Sequence, residues 1–184
     1  MSPPRWRCAM PDPTLSAAIQ EAYASASVNQ VIYHTLELWH PAFSVPIRVV
    51  RDFNALDARI EATAARDPGA IVTFVGFAFD IVPPDQTSTG LPQCSIEIDN
   101  VSQEILAQID AAVVTALPIT AIYRAYLSDT LSIGPDNNPP MELTLITVNA
   151  NPFRLKATAG FPDLVNLRFP KLDYELETFP GLQP

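Results

Sequence analysis

The segment CSIEIDNVSQEILAQIDAAVVTALPITAIYRAYL, residues 94–127, decides the fold because its hydrophobic period changes along its length. Alternation with a period of two over 94–99 predicts a strand that is buried on one face. An apolar stripe with a period of about 3.6 then predicts a helix over 102–116, which Pro118 ends. The alternating, β-branched and aromatic run 119–127 predicts a second strand. We therefore expect the helix to pack with its apolar face across a sheet that the other segments build.

The predicted helix also carries residues that favour a helix start. Asn100 and Ser102 can accept hydrogen bonds from the free amides of the first turn, and Glu104 places a carboxylate near the positive end of the helix dipole. The apolar face consists of Ile105, Leu106, Ile109, Ala112, Val113 and Ala116.

Further segments predict strands through their alternation or their β-branched and aromatic content. The run IVTFVGFAF, 71–79, is apolar on both faces, so we expect a central strand covered above and below. Segment 56–62 contains helix-forming residues, but its alternation favours a strand. The last two segments meet at a tight turn at Asn151 and predict a hairpin at an edge of the sheet, where outward Arg154 and Lys156 discourage stray pairing. These segments are 30–39, 46–50, 56–62, 70–79, 141–150 and 153–159.

The length and composition are typical of one globular domain with a small appendage. The chain has 184 residues, of which 48% are apolar and 17% are charged. No apolar run approaches the roughly 20 residues that cross a bilayer, so we expect no membrane insertion. Residues 1–13 lack the apolar region of a secretion signal, so we expect synthesis in the cytoplasm. A predicted helix from Thr14 to Ser27 has a small apolar face that can pack on its own sheet or on a partner.

The charge and the cysteines argue against several kinds of site. A net charge of −9 and a pI near 4.5 oppose attraction to phosphate backbones, so we expect no sequence-specific nucleic-acid binding. Cys8 and Cys94 are 86 residues apart, with no C-x-x-C and no nearby histidine pair. This spacing predicts free thiols, and we expect no metal and no cofactor.

Loops and termini contain much of the proline. Two polar loops, 82–93 and 132–140, separate the predicted elements. The last 25 residues follow neither period and contain Phe-Pro pairs at Phe161, Phe169 and Phe179. Such a segment cannot form its own core, so its aromatic side chains must be buried against this domain or another chain. The predicted division is an N-terminal arm and helix (1–28), a β-sandwich with the helix (29–159) and an extended C-terminal arm (160–184).

Several blocks of the sequence, in this order, resemble a family of tailed-phage and prophage proteins. That family is catalogued as a domain of unknown function and sits among minor tail and tail-tip proteins. The resemblance covers about residues 20–182, and the order of the blocks makes it specific. The blocks are HPAF (40–43), PIRVV (46–50), VTFVGFAFD (72–80), IEIDNVSQEI (96–105), AGFPDL (159–164), FPKLDY (169–174) and FPGL (179–182).

The resemblance implies a fold and a role. The implied fold is mainly β (α+β), a tail-tube-like β-sandwich with one flanking helix that assembles as a ring, commonly a hexamer. The implied partners are copies of itself, the tail tube protein and the baseplate hub or other tail-tip proteins, within the virion. The family has no catalytic motif to carry over. Some tail-tip relatives hold an iron–sulfur cluster with four cysteines, and this chain departs from them with two.

Few side chains suggest chemistry. Glu97 and Asp99 are two residues apart on a predicted strand, so their carboxylates share one face, as a general acid/base pair requires. A solvated outer face explains them equally well, and we assign no catalytic residue. His34 lies on the apolar face of its strand and is predicted to be a core histidine, whereas His40, which precedes Pro41, is predicted to be a loop residue. The sequence contains no G-x-S-x-G serine and no Gly-rich phosphate loop.

Acidic side chains in the C-terminal arm suggest a more specific hypothesis. Asp173, Glu175 and Glu177 alternate, so they lie on one side of an extended arm. Solvent exposure is the ordinary explanation. In a ring around a DNA passage, carboxylates that face the lumen would instead repel the phosphates over a Debye length of about 10 Å.

We therefore expect a structural, non-enzymatic protein of the distal tail or tail tip, with loop 82–93 and the C-terminal arm as contact segments. One alternative is a carbohydrate-binding β-sandwich, an adhesin, which needs exposed aromatic residues clustered on one concave face. Trp6 and Trp39 are too far apart in sequence to indicate such a cluster. The other alternative is a hydrolase that uses Glu97 and Asp99. Glycan binding by the isolated protein would favour the first alternative, and loss of an activity in a double alanine variant would favour the second.

Overall fold

The computed structural model describes most of the predicted β domain. The predicted caps Asn100 and Ser102, most of loop 82–93 and the arm after Phe161 lie outside the described residues. Predictions about those residues stay predictions. The described residues are 13–25, 30–82, 93–99, 103–115, 117–151 and 153–161.

Within these ranges the chain is mainly β, which confirms the predicted fold class. The helix of the central unit is present but ends at Val113 rather than at residue 116. The elements are α1 (Ala17–Ser25), β1 (Ile32–Trp39), β2 (Ile47–Val50), β3 (Leu56–Arg59), β4 (Ile71–Gly76), β5 (Phe79–Val82), β6 (Gln93–Asp99), α2 (Gln103–Val113), β7 (Thr120–Leu127), β8 (Met141–Asn151) and β9 (Arg154–Gly160).

The strands form one hydrogen-bonded sheet in the order β3-β4-β2-β1-β7-β8-β9-β6-β5. Although two residues join β4 to β5, these strands lie near opposite ends of this order. The link contacts both ends at once. The Phe77 amide donates to the Val50 carbonyl of β2, and the Asp99 amide of β6 donates to the Ala78 carbonyl, each at 2.9 Å. The sheet therefore curls until β5 lies close to β2 and β4. We call this approach the closure of the sheet, and the two layers of the predicted sandwich are parts of one curled sheet.

The prediction that 71–79 forms one central strand is wrong. The run divides into β4 and β5, and β4 lies beside β3, which is the last strand at its end of the sheet. Phe74 on one face of β4 is fully buried, whereas Ile71 and Val75 on the other face are more than half exposed. Apolar residues on both faces of this strand therefore do not mean that both faces are covered.

β8 and β9 form the predicted hairpin, with Asn151 paired to Arg154. Its predicted place at an edge is wrong, because β8 also pairs with β7 and β9 pairs with β6 along its whole length. Arg154 and Lys156 do face away from the core. They lie opposite Asp99 and Glu97 of β6, so they form cross-strand charge pairs rather than a guarded edge.

The main core lies inside the closed sheet. Ile105 and Ile109 of α2 are buried in it, which confirms the apolar face predicted for that helix. Strands β1, β2 and β5 to β9 contribute to this core, and α2 therefore covers their inner face. Ala58 of β3 and Phe74 of β4 pack instead with Val50 and Tyr126 in a separate cluster. The strand residues of the core include Leu36, Leu38, Ile96, Ile98, Leu143 and Leu155.

α1 covers the other end of the same inner face. Ile19 and Ala22 are buried against Ala125 and Leu127, which share their face of β7 with the core residue Ala121. Of the two arrangements that the sequence left open for this helix, the structure has the helix packed on its own sheet.

The start of α1 differs from the prediction. Ser16 rather than Thr14 caps the helix, because its hydroxyl accepts a hydrogen bond from the Ile19 amide at 3.3 Å, three residues along the chain. The Thr14 carbonyl instead accepts a hydrogen bond from the Asn138 amide at 2.7 Å. The chain before the helix is therefore tied to the loop after β7.

The loop after β7 supplies hydrogen-bond partners for the part of β7 that does not pair with β8. Pairing with β8 ends at Tyr123. Beyond it, the Ala125 amide donates to Asn137 Oδ1 and the Leu127 amide donates to Asp136 Oδ2, each at 2.9 Å, and Asn137 Nδ2 donates to the Tyr123 carbonyl at 3.1 Å. Both loop side chains are buried. They therefore take the place of a neighbouring strand.

Gly76 should be indispensable for the closure of the sheet. A Cβ atom at this position would lie 2.7 Å from the Asp52 carbonyl oxygen and 2.9 Å from the Phe53 carbonyl carbon, and both are backbone atoms. We expect Gly76→Ala to lower the free energy of unfolding by about 1–3 kcal/mol, because the turn must move. Val75→Thr on the same strand is the control and should stay within about 0.5 kcal/mol. Urea unfolding measures both, and equal midpoints for Gly76→Ala and the native chain would contradict the prediction.

Candidate interaction surface

A cleft lies where β5 approaches β2 and β4, and we call it the seam cleft. It has a volume of about 650 Å³ and lies between β5, the end of β6 and the turn after β2. The turn contributes Phe53, whose side chain is fully exposed. Closure of the sheet thus brings together charged residues that are distant in sequence. They are Arg51, Asp52, Asp80, Glu97 and Asp99.

Glu97 and Asp99 do share a face, as the sequence predicted, but both have cationic partners. Arg154 contacts both carboxylates, at 2.6 Å from its Nε to Asp99 Oδ1, and Lys156 Nζ lies 3.3 Å from Glu97 Oε2. All four side chains are at least partly exposed. The pairs are therefore ordinary cross-strand pairs of modest strength, and the geometry matches the solvated outer face better than a general acid/base pair.

The strongest electrostatic feature is buried and was not found in the sequence. Arg124 on β7 is almost inaccessible to solvent and makes two hydrogen bonds to Glu61, at 2.7 and 2.9 Å. Its third hydrogen bond goes to Glu37 on β1, at 2.9 Å. Arg48 and Arg66 reach the same Glu37 carboxylate from its more exposed side, at 3.4 and 3.3 Å. We call this set the ion-pair network.

The ion-pair network lies on the outer face of β1 and β7, beneath the chain that follows β3. Burial acts to lower the pKa of Arg124, but the hydrogen bond to Glu61 and the charges of Glu37 and Glu61 outweigh that effect and raise it. The guanidinium is therefore held in its charged form. A sequence signal existed, since Glu37 and Arg124 are charged residues within β1 and β7, but periodicity does not show that these two residues meet.

His34 is partly buried and satisfied, as expected for a core histidine. Its Nδ1 lies 2.6 Å from the Tyr123 hydroxyl, and the two rings stack. Burial and the nearby Arg51 charge lower the pKa of His34, while burial raises the pKa of Tyr123. Both groups are therefore held in their neutral forms, and one hydrogen bond joins the imidazole to the phenol. Tyr23 of α1 makes a side-chain hydrogen bond to the same phenol.

His40 lies outside the strands, as predicted, but it is completely buried. Its Nδ1 accepts a hydrogen bond from the Ala42 amide at 3.0 Å, so the ring proton must lie on Nε2. Nε2 therefore donates to Thr115 Oγ1 at 2.9 Å, and that hydroxyl donates to the Ala112 carbonyl. His40 is a structural link between the end of β1 and the end of α2.

Apolar grooves lie on both sides of α2. The first, which we call the α2 groove, separates the helix from β8 and has a volume of about 380 Å³. None of the described residues that line it is charged. Leu117 and Ile146 in its lining are 57% and 59% exposed, and the neighbouring Val114 is 87% exposed. The second groove lies between the first half of α2 and β2, and there Val45 and Val75 are more than half exposed.

Among the described residues, no ring contact joins two exposed phenylalanine or tryptophan side chains, as an adhesin would need. The Arg66 guanidinium lies over the Trp39 ring, 4.3 Å from its centroid, so one face of this ring is occupied. Trp6 lies outside the described residues. The described residues include a fully exposed phenylalanine in the seam cleft and another exposed one, Phe153, in the turn before β9.

The described part of the chain offers neither a metal site nor a helix that could span a membrane. It holds no cluster of three or more His, Cys, Asp or Glu residues arranged to bind a metal ion. Cys94 is a free, buried thiol, and burial raises its pKa. No helix among the described residues is long and apolar enough to cross a membrane.

Removal of the central cation should be costly. In Arg124→Met the carboxylates of Glu37 and Glu61 stay buried without their main partner, so we expect a loss of about 3–5 kcal/mol in the free energy of unfolding. Arg51→Met removes an exposed partner of Asp80 and serves as the control, with an expected change below about 1 kcal/mol. Urea unfolding of both variants measures the difference, and similar losses would show that burial of the network does not matter.

His34 should make stability depend on pH. Its lowered pKa means that below the ordinary value of about 6.5 the unfolded chain binds a proton more readily than the folded chain. Stability should therefore be highest above that pH and fall as the pH decreases through the folded-state pKa. His34→Gln should flatten this part of the dependence. Melting temperatures between about pH 7.5 and 5.5 test this, and parallel curves for variant and native chain would refute it.

Comparison with known proteins confirms the family. A family model described as "Domain of unknown function (DUF1833)" matches residues 18–174, which is most of the chain. No curated protein matches the chain. The predicted membership of a family of unknown function is confirmed, while the phage-tail role stays a prediction. The chain belongs to the family described as domain of unknown function DUF1833.

Proposed function

We propose that this chain is a structural virion protein of the distal tail or tail tip of a siphophage-like tail. In this proposal it joins the tail tube to the baseplate hub, and copies of itself form a ring. The proposal rests on the sequence blocks that resemble minor tail and tail-tip proteins. The structural observation that supports it best is the pair of uncharged or weakly charged apolar grooves beside α2.

Exposed apolar grooves favour a protein that works through contacts. A monomeric soluble protein seldom exposes a contiguous apolar patch of more than about a few hundred Å². Patches above that size mark sites of association. Leu117, Ile146 and Val114 lie at the end of α2 and beside the α2 groove, where another surface can bury them. Subunits of a ring bury such groups against their neighbours.

The curled sheet and the ion-pair network also suit a structural subunit. The link at Phe77 and Ala78 holds β5 close to β2, and the ion-pair network ties the chain after β3 to β1 and β7. The lumen hypothesis for Asp173, Glu175 and Glu177 is part of this proposal, since a net charge of −9 disfavours adhesion to DNA. A lumen lined mainly with Arg and Lys would contradict it.

One observation favours the carbohydrate-binding alternative. The seam cleft combines the fully exposed ring of Phe53 with several carboxylates, and sugars bind to surfaces that offer an aromatic face beside hydrogen-bond acceptors. The hydrolase alternative relies on Glu97 and Asp99, which Arg154 and Lys156 already pair. The contact role needs neither group, and we rank it first.

Removal of residues 162–184 should separate folding from assembly. β9 is the last strand among the described residues and ends at Gly160, so the deletion leaves every described strand intact. We expect a chain that unfolds cooperatively with a midpoint near the native one but does not support complete tails in infected cells. Electron microscopy of the particles measures this.

A control carries residues 162–184 in scrambled order and keeps length and composition. It should fail like the deletion if specific contacts matter. Normal virions from the deletion would refute the proposal. Complete tails that no longer adsorb to cells would instead favour the carbohydrate-binding alternative.

A further inference from the structure

The C-terminal part of the chain repeats a four-residue pattern, Phe-Pro-x-Leu. It occurs as FPDL at 161–164, FPKL at 169–172 and FPGL at 179–182. Proline fixes its own φ angle, favours an extended backbone at the residue before it and removes one amide donor. Such a segment is suited to place two apolar side chains in a groove without strand pairing. Most of the repeated region lies beyond Phe161, the last described residue.

The described chain ends beside the α2 groove. Gly160 pairs with Thr144, and the preceding residue, Ala159, pairs with Leu145, which lines the groove. Phe161 follows directly and is partly exposed. The C-terminal segment therefore leaves each molecule next to an apolar groove.

The chemistry of groove and repeat is complementary. Among the described lining residues of the α2 groove, Ile109, Leu145 and Val148 form its floor and sides, and none of the lining residues is charged. Phenylalanine and leucine are the side chains that gain most from such a site. A volume of about 380 Å³ is at the small end of ligand pockets and fits one short apolar motif.

We propose that the α2 groove binds a Phe-Pro-x-Leu repeat from the C-terminal segment of a second copy of this chain. The spacing of the repeats supports an occupant from another molecule. Phe161 and Phe169 are 8 residues apart, and Phe169 and Phe179 are 10 apart. An extended chain spans about 26–33 Å over those intervals. Two repeats of one chain therefore cannot share a groove, but they can reach different molecules.

Each molecule offers the α2 groove once and the repeat three times. Such an excess allows one segment to link several neighbours, and linked binding events strengthen one another through the local concentration. This inference deepens the proposed function and rests on it, because it names the surface and the segment that hold neighbouring copies in the ring.

Photo-crosslinking of the full-length chain tests the proposal. Leu117 is exposed in the groove and outside the strands, so p-benzoylphenylalanine at this position should not disturb folding. An equal mixture of ¹⁵N-labelled and unlabelled chains is irradiated, digested and analysed by mass spectrometry. We expect crosslinks from position 117 to a peptide within 161–184, and the two peptides should often carry different labels. The same probe at Phe53, in the seam cleft, should not give this product.

Two variants make the test specific. Replacement of Phe161, Phe169 and Phe179 together by Ser should lower the yield of the crosslink about tenfold, since large aromatic side chains dominate such contacts. Tyr174→Ser changes an aromatic residue of the same segment outside the repeats and should leave the yield unchanged.

The proposal is overturned if no crosslink reaches 161–184, if every crosslink joins peptides of one label, or if the triple variant keeps the native yield. A failure of the proposed function looks different. In that case crosslinks between chains form in the purified protein, but the chain is absent from virions. Complete rings in virions from the triple variant would leave the structural role intact. They would overturn only the proposal that the α2 groove binds the repeat.

Discussion

The buried contact between Arg124 and the carboxylates of Glu37 and Glu61 is the interaction on which the rest of the structure depends. It joins β7 to β1 within the sheet and both strands to the chain that follows β3. A charge that is buried this deeply is tolerated only when its hydrogen bonds are satisfied, and Arg124 makes three of them. The network therefore specifies how the chain after β3 lies on β1 and β7, since a displaced chain would leave buried carboxylates without a partner.

Closure of the sheet is the second constraint, and it follows from the short link between β4 and β5. Two residues cannot span a flat sheet of this width, so the start of β5 must lie close to the end of β4. The inner face then becomes the main core, with α2 over one end and α1 over the other. Closure also creates the seam cleft and leaves the grooves on the two sides of α2.

The seam cleft and the grooves beside α2 differ in their charge. The seam cleft contains charged residues that largely pair with one another, whereas the α2 groove has no charged residue among its described lining residues. Burying the grooves against another copy yields free energy through the hydrophobic effect. The exposed ion pairs of the seam cleft contribute little free energy. This contrast supports the proposed contact role, to which the resemblance of the sequence blocks also points.

The sequence by itself determined the elements and the class of the fold. Hydrophobic period predicted α2, the strands that flank it and the β8–β9 hairpin, because periodicity reports which side of one element is apolar. It did not predict how elements are ordered in space. The edge placement of the hairpin and the central placement of 71–79 were wrong, because neighbours in the sheet depend on contacts between distant residues. Only the tertiary structure decided that Glu37, Glu61 and Arg124 meet, since an ion pair across 87 residues leaves no periodic signal.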